Sequence, residues 1–286
     1  MHSKLRMLAM AGSLILTSIA AAEQAPHYSN LFVFGDSYCD VGNLHSPSPP
    51  YYQSRWSNGP LWVEHIAGFL GVPPLTPSSL GGTDYAWDGA AVTEASFTPS
   101  IPQQVERYLS DHGGKADPDA FFILEGGIND IVQTSFTDPE ELGYQIALGL
   151  ANSEQRLRDA GARHILITNL FDVGLLPAAA NISSLATAAA TAANKYLDIL
   201  LPADERREGV HILRFNLFAL VNAIGRDPAH LGFTNVTDAC KTTTLCADPD
   251  HWFFFDDTHP SEFAQSDFAV AVEAILAARD ATRDKD

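Results

Sequence analysis

Ser37 stands in the stretch Gly35-Asp36-Ser37-Tyr38, directly after a short apolar run from Leu31 to Phe34. A serine hydroxyl is a weak nucleophile and needs an adjacent base, usually histidine, oriented by a third group. Near the other end of the chain, Asp256-Asp257-Thr258-His259-Pro260 supplies both. An aspartate three residues before a histidine can turn back to accept the imidazole N–H, fixing the tautomer that leaves the other ring nitrogen free as a base. Each stretch also has an ordinary reading. Gly-Asp-Ser is a common strand-to-helix turn, and Asp, Thr and Pro suit a helix start. Capping and catalysis are compatible at the second stretch.

A serine attacking a carbonyl creates an oxyanion, which needs hydrogen-bond donors fixed before the reaction begins. Two stretches can supply them. In Gly126-Gly127-Ile128-Asn129-Asp130, the Asn129 amide can point its NH₂ from the end of a strand. In Tyr85-Ala86-Trp87-Asp88-Gly89-Ala90, Gly89 can present a backbone N–H without a side chain in the way. Taken singly, each is a common turn.

These residues must be carried by elements that bring them to one place. Short apolar segments read as buried parallel strands at Leu31 to Phe34, Tyr85 to Ala86, Phe121 to Leu124, Ile165 to Thr168 and Val210 to Arg214. Between them, helices are expected at Leu61 to Leu70, Pro102 to Asp111, Glu140 to Ala160, Leu185 to Leu201, Leu217 to Ile224 and Glu262 to Arg279. Alternation of this kind is the pattern of an α/β domain, about five parallel strands with helices on both faces. In open α/β sheets, ligands bind at the carboxyl ends of the strands, where these stretches fall. The Pro-, Ser- and Tyr-rich stretch from His45 to Ser57 reads as a loop over the end of the first strand, and the Ala/Thr-rich run from Ala178 to Ala193 as helix packing.

The four stretches, in order, resemble the blocks of the SGNH/GDSL hydrolase family: GDS, Y-A-x-x-G-A, G-x-N-D and D-x-x-H-P, with FGDSYCDVGN similar to the longer form of secreted members. The resemblance spans Phe32 to Pro260 and implies a flavodoxin-like three-layer sandwich that hydrolyses esters without a cofactor. It further implies that Ser37 is the nucleophile and first oxyanion donor, Gly89 and Asn129 the other donors, His259 the base and Asp256 its orienter. Two departures stand out: Asp84 where the second block usually begins with Asn, and Cys39 in place of a small hydroxyl residue. Asp257 rivals Asp256, and the D-x-x-H spacing favours Asp256.

Composition narrows the class further. Hydrophobic residues make up 46% of the 286, enough for a large core and too many for a disordered chain. With 35 acidic against 17 basic residues, the surface repels polyanions, so nucleic acid is not an expected partner. The basic start at His2, Lys4 and Arg6, the apolar stretch from Met7 to Ile19 and the small residues Ala20 to Ala22 read as a signal peptide over residues 1–22, with one domain over 23–286. That apolar stretch is shorter than the roughly 20 residues needed to span a bilayer, and no later segment is apolar enough to span. Export makes a Cys240–Cys246 disulfide the expected pairing and leaves Cys39 as a small buried residue beside the site.

Other chemistries fit less well. No G-x-S-x-G surrounds this serine, against a nucleophile-elbow hydrolase, and the ten histidines form no H-E-x-x-H, against a metallohydrolase. A secreted glycan- or lipid-binding protein on the same fold remains the alternative from another class. The expected partner is a small-molecule, lipid or acylated-carbohydrate ester, taken by a monomer. Tyr51, Tyr52, Trp56, Trp62 and Trp87 would stack on sugar rings, line an acyl tunnel, or pack. Asn181-Ile-Ser and Asn235-Val-Thr would be glycosylation acceptors in a eukaryotic host.

Overall fold

The computed structural model describes residues 28–44, 49–93, 97–201 and 209–283. The segment read as a signal peptide lies outside them, as do residues 45–48 of the loop after the first strand. Four parallel strands form one sheet in spatial order: β1 (Leu31–Phe34), β2 (Phe121–Leu124), β3 (His164–Thr168) and β4 (His211–Phe215). Every residue of β1 and β2 is buried, which is why both read as unbroken apolar runs.

The expected strand at Tyr85 to Ala86 is present only as isolated parallel bridges at Asp84, one to Val33 and one to Pro77. Thr83 O accepts from Val33 N at 3.2 Å, and Tyr85 N donates to Val33 O at 2.8 Å, on the side of β1 facing away from β2. The pairing runs on to Trp87 N, which donates to Gly35 O at 3.1 Å, while on the segment's other edge the Asn43 side chain donates to the carbonyls of Asp84 at 2.7 Å and Ala86 at 2.9 Å. A side chain thus covers an edge that would otherwise invite another strand. With this segment included, the order is second, first, third, fourth, fifth, the flavodoxin-like arrangement.

Helices cover both faces. α1 (Trp62–Leu70) packs with the last helix, α7 (Glu262–Arg283). On the other face α2 (Ile101–Asp111) packs on α4 (Pro139–Ala160), which packs on α5 (Ser183–Leu200). Between β2 and α4 lies a single turn, α3 (Ile128–Val132), and α6 (Leu217–Arg226) follows β4. The alanine-rich run has the packing role expected of it: Ala186, Ala189, Ala190 and Ala193 are fully buried, and a Cβ on Gly143 of α4 would meet Ala192 Cβ at 2.6 Å. Small residues let these two helices approach closely.

A short strand that the sequence reading did not include, β5 (Asn235–Ala239), pairs in parallel with β6 (Trp252–Phe254), and within it Asn235 Oδ1 accepts from the N–H groups of Thr237 and Asp238 in a local turn. The Cys240–Cys246 disulfide closes the loop that leaves β5. Among the described residues, no helix is long and apolar enough to cross a membrane.

Candidate active site

β1 ends at Phe34, and the next residue is clamped by a side-chain amide. Gln104 of α2 accepts from Gly35 N at 2.9 Å and donates to Gly35 O at 2.9 Å. Position 35 has no room for a larger residue, since a Cβ would lie 2.9 Å from Glu125 Oε2 and 3.2 Å from Cys39 Sγ. Asp36 then shapes the turn: its carboxylate accepts from Tyr38 N at 3.0 Å, while its carbonyl accepts from the N–H groups of Cys39 and Asp40, both at 3.0 Å. The turn places Ser37 at the carboxyl end of the sheet, 4% exposed.

β6 leads into the opposing side of the site. Phe253 and Phe254 of β6 and the Phe255 that follows are buried, and the chain doubles back so that Phe255 N donates to His259 O at 2.7 Å and Ser261 N to Phe253 O at 2.8 Å. Within the turn, Asp256 Oδ1 accepts from the backbone N–H of Thr258 at 2.9 Å and of His259 at 2.7 Å. The same carboxylate lies 2.9 Å from His259 Nδ1 through either oxygen. With the Nδ1 proton directed at Asp256, Nε2 carries the lone pair, and it lies 2.9 Å from Ser37 Oγ. Asp257 is exposed and takes no part in this chain of bonds.

Burial by itself would lower the His259 pKa. The Asp256 carboxylate, through charge and hydrogen bond, outweighs it with help from Asp88 and Asp36, and the net shift is upward. Burial likewise pushes Asp256 up, but the charge and N–H of His259, with bonds from Tyr51 and Thr258, bring it down to about 2. The two shifts agree: each partner holds the charged form of the other.

The stretches holding Gly89 and Asn129 are tied to the loop of Ser37 by buried carboxylates. Asp40 accepts from Asp88 N at 2.8 Å as well as from Gly42, Asn43 and Leu44 of its own loop. Asp84 accepts from Val41 N at 2.7 Å and Ala86 N at 3.0 Å. Asp130 accepts from Val92 N and Thr93 N, both at 2.8 Å, joining the third stretch to the second. Gly89 has φ of +75°, and a Cβ there would meet the Phe97 ring at 2.6 Å. Its backbone N–H bonds the Asp88 carboxylate. Asn129 follows Gly127, which caps α3 in the left-handed region at φ 114°. Its amide is fixed in orientation, with Nδ2 donating to Ala90 O at 2.9 Å and Oδ1 accepting from Gln133 at 2.7 Å. A second Nδ2 hydrogen remains for another acceptor.

Sequence reasoning did not find the carboxyl pair beneath Ser37. Asp36 and Glu125 are both buried, and Glu125 Oε2 accepts from Asp36 N at 3.3 Å and from the Cys39 thiol at 3.7 Å. Burial lifts Glu125 to about 7, and burial together with the charge of Glu125 lifts Asp36 well above the usual range. Cys39 is free and buried, its thiol pushed up by burial and then by Glu125, so it is not a thiolate nucleophile. The aromatics sort by place: Trp62 is core, while Trp87 lines a cleft of about 540 Å³ together with Tyr85, Gln103, Gln104 and Arg107. Tyr51 and Trp56 lie against Asp256 and His259. Among the described residues, no group of three or more His, Cys, Asp or Glu could hold a metal ion.

Known proteins share this arrangement of sequence. The chain is 27% identical to the phosphatidylcholine-sterol acyltransferase of Aeromonas hydrophila, covering 79% of this chain and 70% of that protein. It is 24% identical to the GDSL esterase/lipase At2g40250 of Arabidopsis thaliana, covering 88% of this chain and 90% of that protein. Among solved structures, the lipase/acylhydrolase from Enterococcus faecalis aligns with a TM-score of 0.46 and 11% identity, over 88% of this chain and 96% of that one. The sequence profile of the GDSL-like lipase/acylhydrolase family matches residues 31–272, from β1 into the last helix, and the chain belongs to this family of ester-hydrolysing enzymes.

Proposed function

We propose that the protein is a secreted, monomeric serine carboxylester hydrolase that works through an acyl-enzyme on short- to medium-chain acyl esters or lipids. The observation that carries this reading is the continuous line of bonds from Asp256 through His259 to Ser37, 2.9 Å at each imidazole nitrogen. In it, His259 Nε2 takes the Ser37 proton as Oγ attacks the acyl carbonyl, and the imidazolium returns that proton to the departing alcohol oxygen. Water then enters, gives a proton to Nε2 and attacks the acyl-enzyme, and the acid leaves as Ser37 regains its hydrogen. The backbone N–H groups of Ser37 and Gly89 and the Asn129 amide serve the oxyanion. Gly89 exchanges its bond to Asp88 for one to the oxyanion. Export after removal of residues 1–22 is supported by the Cys240–Cys246 disulfide, a bond that persists in oxidising compartments.

The test is hydrolysis of p-nitrophenyl esters, from acetyl to long acyl chains, by the wild type and Ser37→Ala side by side. Activity confined to the wild type is expected, with an optimum at short to medium chains. Turnover by a folded Ser37→Ala protein would sink the nucleophile assignment. No turnover by either would favour a narrow natural ester or a glycan- or lipid-binding role, to be separated by binding measurements.

A further inference from the structure

The loop after the nucleophile strand returns over the base and its orienter, and two of its aromatic residues touch one each. Tyr51 Oη donates to Asp256 Oδ2 at 2.7 Å. Trp56 lies over the His259 imidazole with ring centroids 4.9 Å apart and planes inclined by 24°. The two aromatics also brace one another edge to face at 5.2 Å, and Tyr51 meets Phe255 in the same way at 5.1 Å.

This loop is held at both ends of the contact. Tyr52 N donates to Ser57 O at 2.8 Å, Arg55 N to Tyr52 O at 2.7 Å, and the Arg55 guanidinium pairs with Glu64 of α1. Ser57 Oγ donates to Pro260 O at 3.1 Å, one residue beyond the base. The loop therefore moves with the catalytic turn, and its aromatics are set before substrate arrives.

Resting on the serine-hydrolase reading above, we propose that Tyr51 and Trp56 are positioning residues, Tyr51 fixing the Asp256 carboxylate and Trp56 holding the His259 ring and its transient positive charge. Asp256 needs one orientation to keep the Nδ1 proton in line, and its backbone bonds to Thr258 and His259 engage Oδ1. Tyr51 secures Oδ2, so the carboxylate cannot rotate about its bond to the chain. The face of an indole attracts a cation, and the imidazolium forms at each proton transfer.

The two residues have separable signatures. A hydroxyl donating into Asp256 draws charge from it. Its removal leaves a carboxylate that holds the imidazolium more strongly, which moves the acid limb of the kcat/KM profile to higher pH. The other charged groups are common to all variants: Asp257 and Lys241 beside Tyr51, and Asp88 and Asp36 beside His259.

The experiment compares kcat, KM and pH profile of the wild type, Tyr51→Phe, Trp56→Phe and Trp56→Leu on p-nitrophenyl acetate, with Ser37→Ala as the control. Tyr51→Phe should lower kcat about tenfold with KM nearly unchanged, as expected for a lost hydrogen bond to a charged group, and should raise the acid limb. Trp56→Leu should lower kcat by a similar factor, and Trp56→Phe should recover most of it. Wild-type kcat and an unmoved acid limb in Tyr51→Phe would overturn its role, as full activity in Trp56→Leu would overturn that of Trp56. An NMR titration of His259, with and without Tyr51→Phe in the Ser37→Ala background, gives the same answer without turnover: an unchanged midpoint overturns the Tyr51 role. An inactive wild type, or an active Ser37→Ala protein, would instead break the serine-hydrolase reading and leave the titration to decide the contact.

Discussion

His259 Nε2 lies 2.9 Å from Ser37 Oγ although 222 residues separate them in the chain. Each sits in its own tight turn, and each turn is closed by the carboxylate of a neighbouring aspartate, Asp36 for one and Asp256 for the other. The meeting of two locally determined turns is what gives the serine its base.

On the proposed mechanism Asp256, His259 and Ser37 act as one unit, so the effects of their removal should not add. Asp256→Asn is expected to lower kcat by about 10²–10⁴, and a Ser37→Ala/His259→Ala double variant to be no worse than either single one. Steady-state kinetics on one ester, with circular dichroism to establish folding, checks this. Multiplying losses would show the residues acting independently.

The upward shift of His259 sets the pH range. The base must be neutral to accept the Ser37 proton, so kcat/KM should fall with decreasing pH through a midpoint above the ordinary 6.5. The negative charge of Asp88 contributes to that shift, so Asp88→Asn should move the midpoint downward. A pH–rate profile of the two proteins reads both outcomes.

Glu125 ties stability to pH in a predictable direction. Its carboxyl titrates at about 7 in the fold against 4.5 for the free group, so the native state favours the protonated form. Its contribution is complete below the free-group value and is lost as pH rises through about 7. Thermal unfolding at pH 5 and pH 8 should show the wild type losing more of its Tm across that interval than Glu125→Gln does. Equal losses would mean that Glu125 is not the group responsible.

Gly89 should resist substitution because of its positive φ of +75°, the Phe97 ring near an added Cβ being exposed and free to turn aside. Gly89→Ala is expected to destabilise the protein by about 1–3 kcal/mol and, by displacing a donor, to lower kcat more than it alters KM. Denaturant titration and kinetics on the same preparation test this together.

Reduction of the disulfide should have a limited effect, because it closes only a short loop, with a sequence separation of 6. The chain-entropy relation gives about 2 kcal/mol for such a loop. Cys240→Ser/Cys246→Ser should therefore fold with a Tm a few degrees lower. Failure to fold would show that β5 depends on the disulfide.

Much of the site was legible in the sequence because its parts are local. Asp256 and His259 are three residues apart, and an Asx-type turn brings them together without outside help. β1, β2 and β3 were legible as apolar runs because both of their faces are covered, whereas β4 is half-buried along most of its length, and the helix boundaries agreed to within a few residues. β5 was not legible. Its Asn-Val-Thr-Asp sequence has turn chemistry, which the structure keeps at Asn235, and the strand is defined by its pairing to β6. The strand expected at Tyr85 to Ala86 is reduced to isolated bridges at Asp84, and on its outer edge a side-chain amide from Asn43 takes carbonyls that a further strand would use.

By itself, the sequence determined the α/β class, the four chemical stretches, their order and the aspartate favoured as the partner of His259. Those follow from residue type and short spacing, which local sterics and hydrogen bonding translate directly into turns and strands. Only the tertiary structure decided that Tyr51 and Trp56 would lie on the His–Asp pair rather than in the core, and that Asp36 and Glu125 would share a buried position beneath Ser37. These contacts join segments 205 and 89 residues apart. No local preference encodes them: they arise when the sheet, closing in its parallel order, brings the ends of separate strands to one edge.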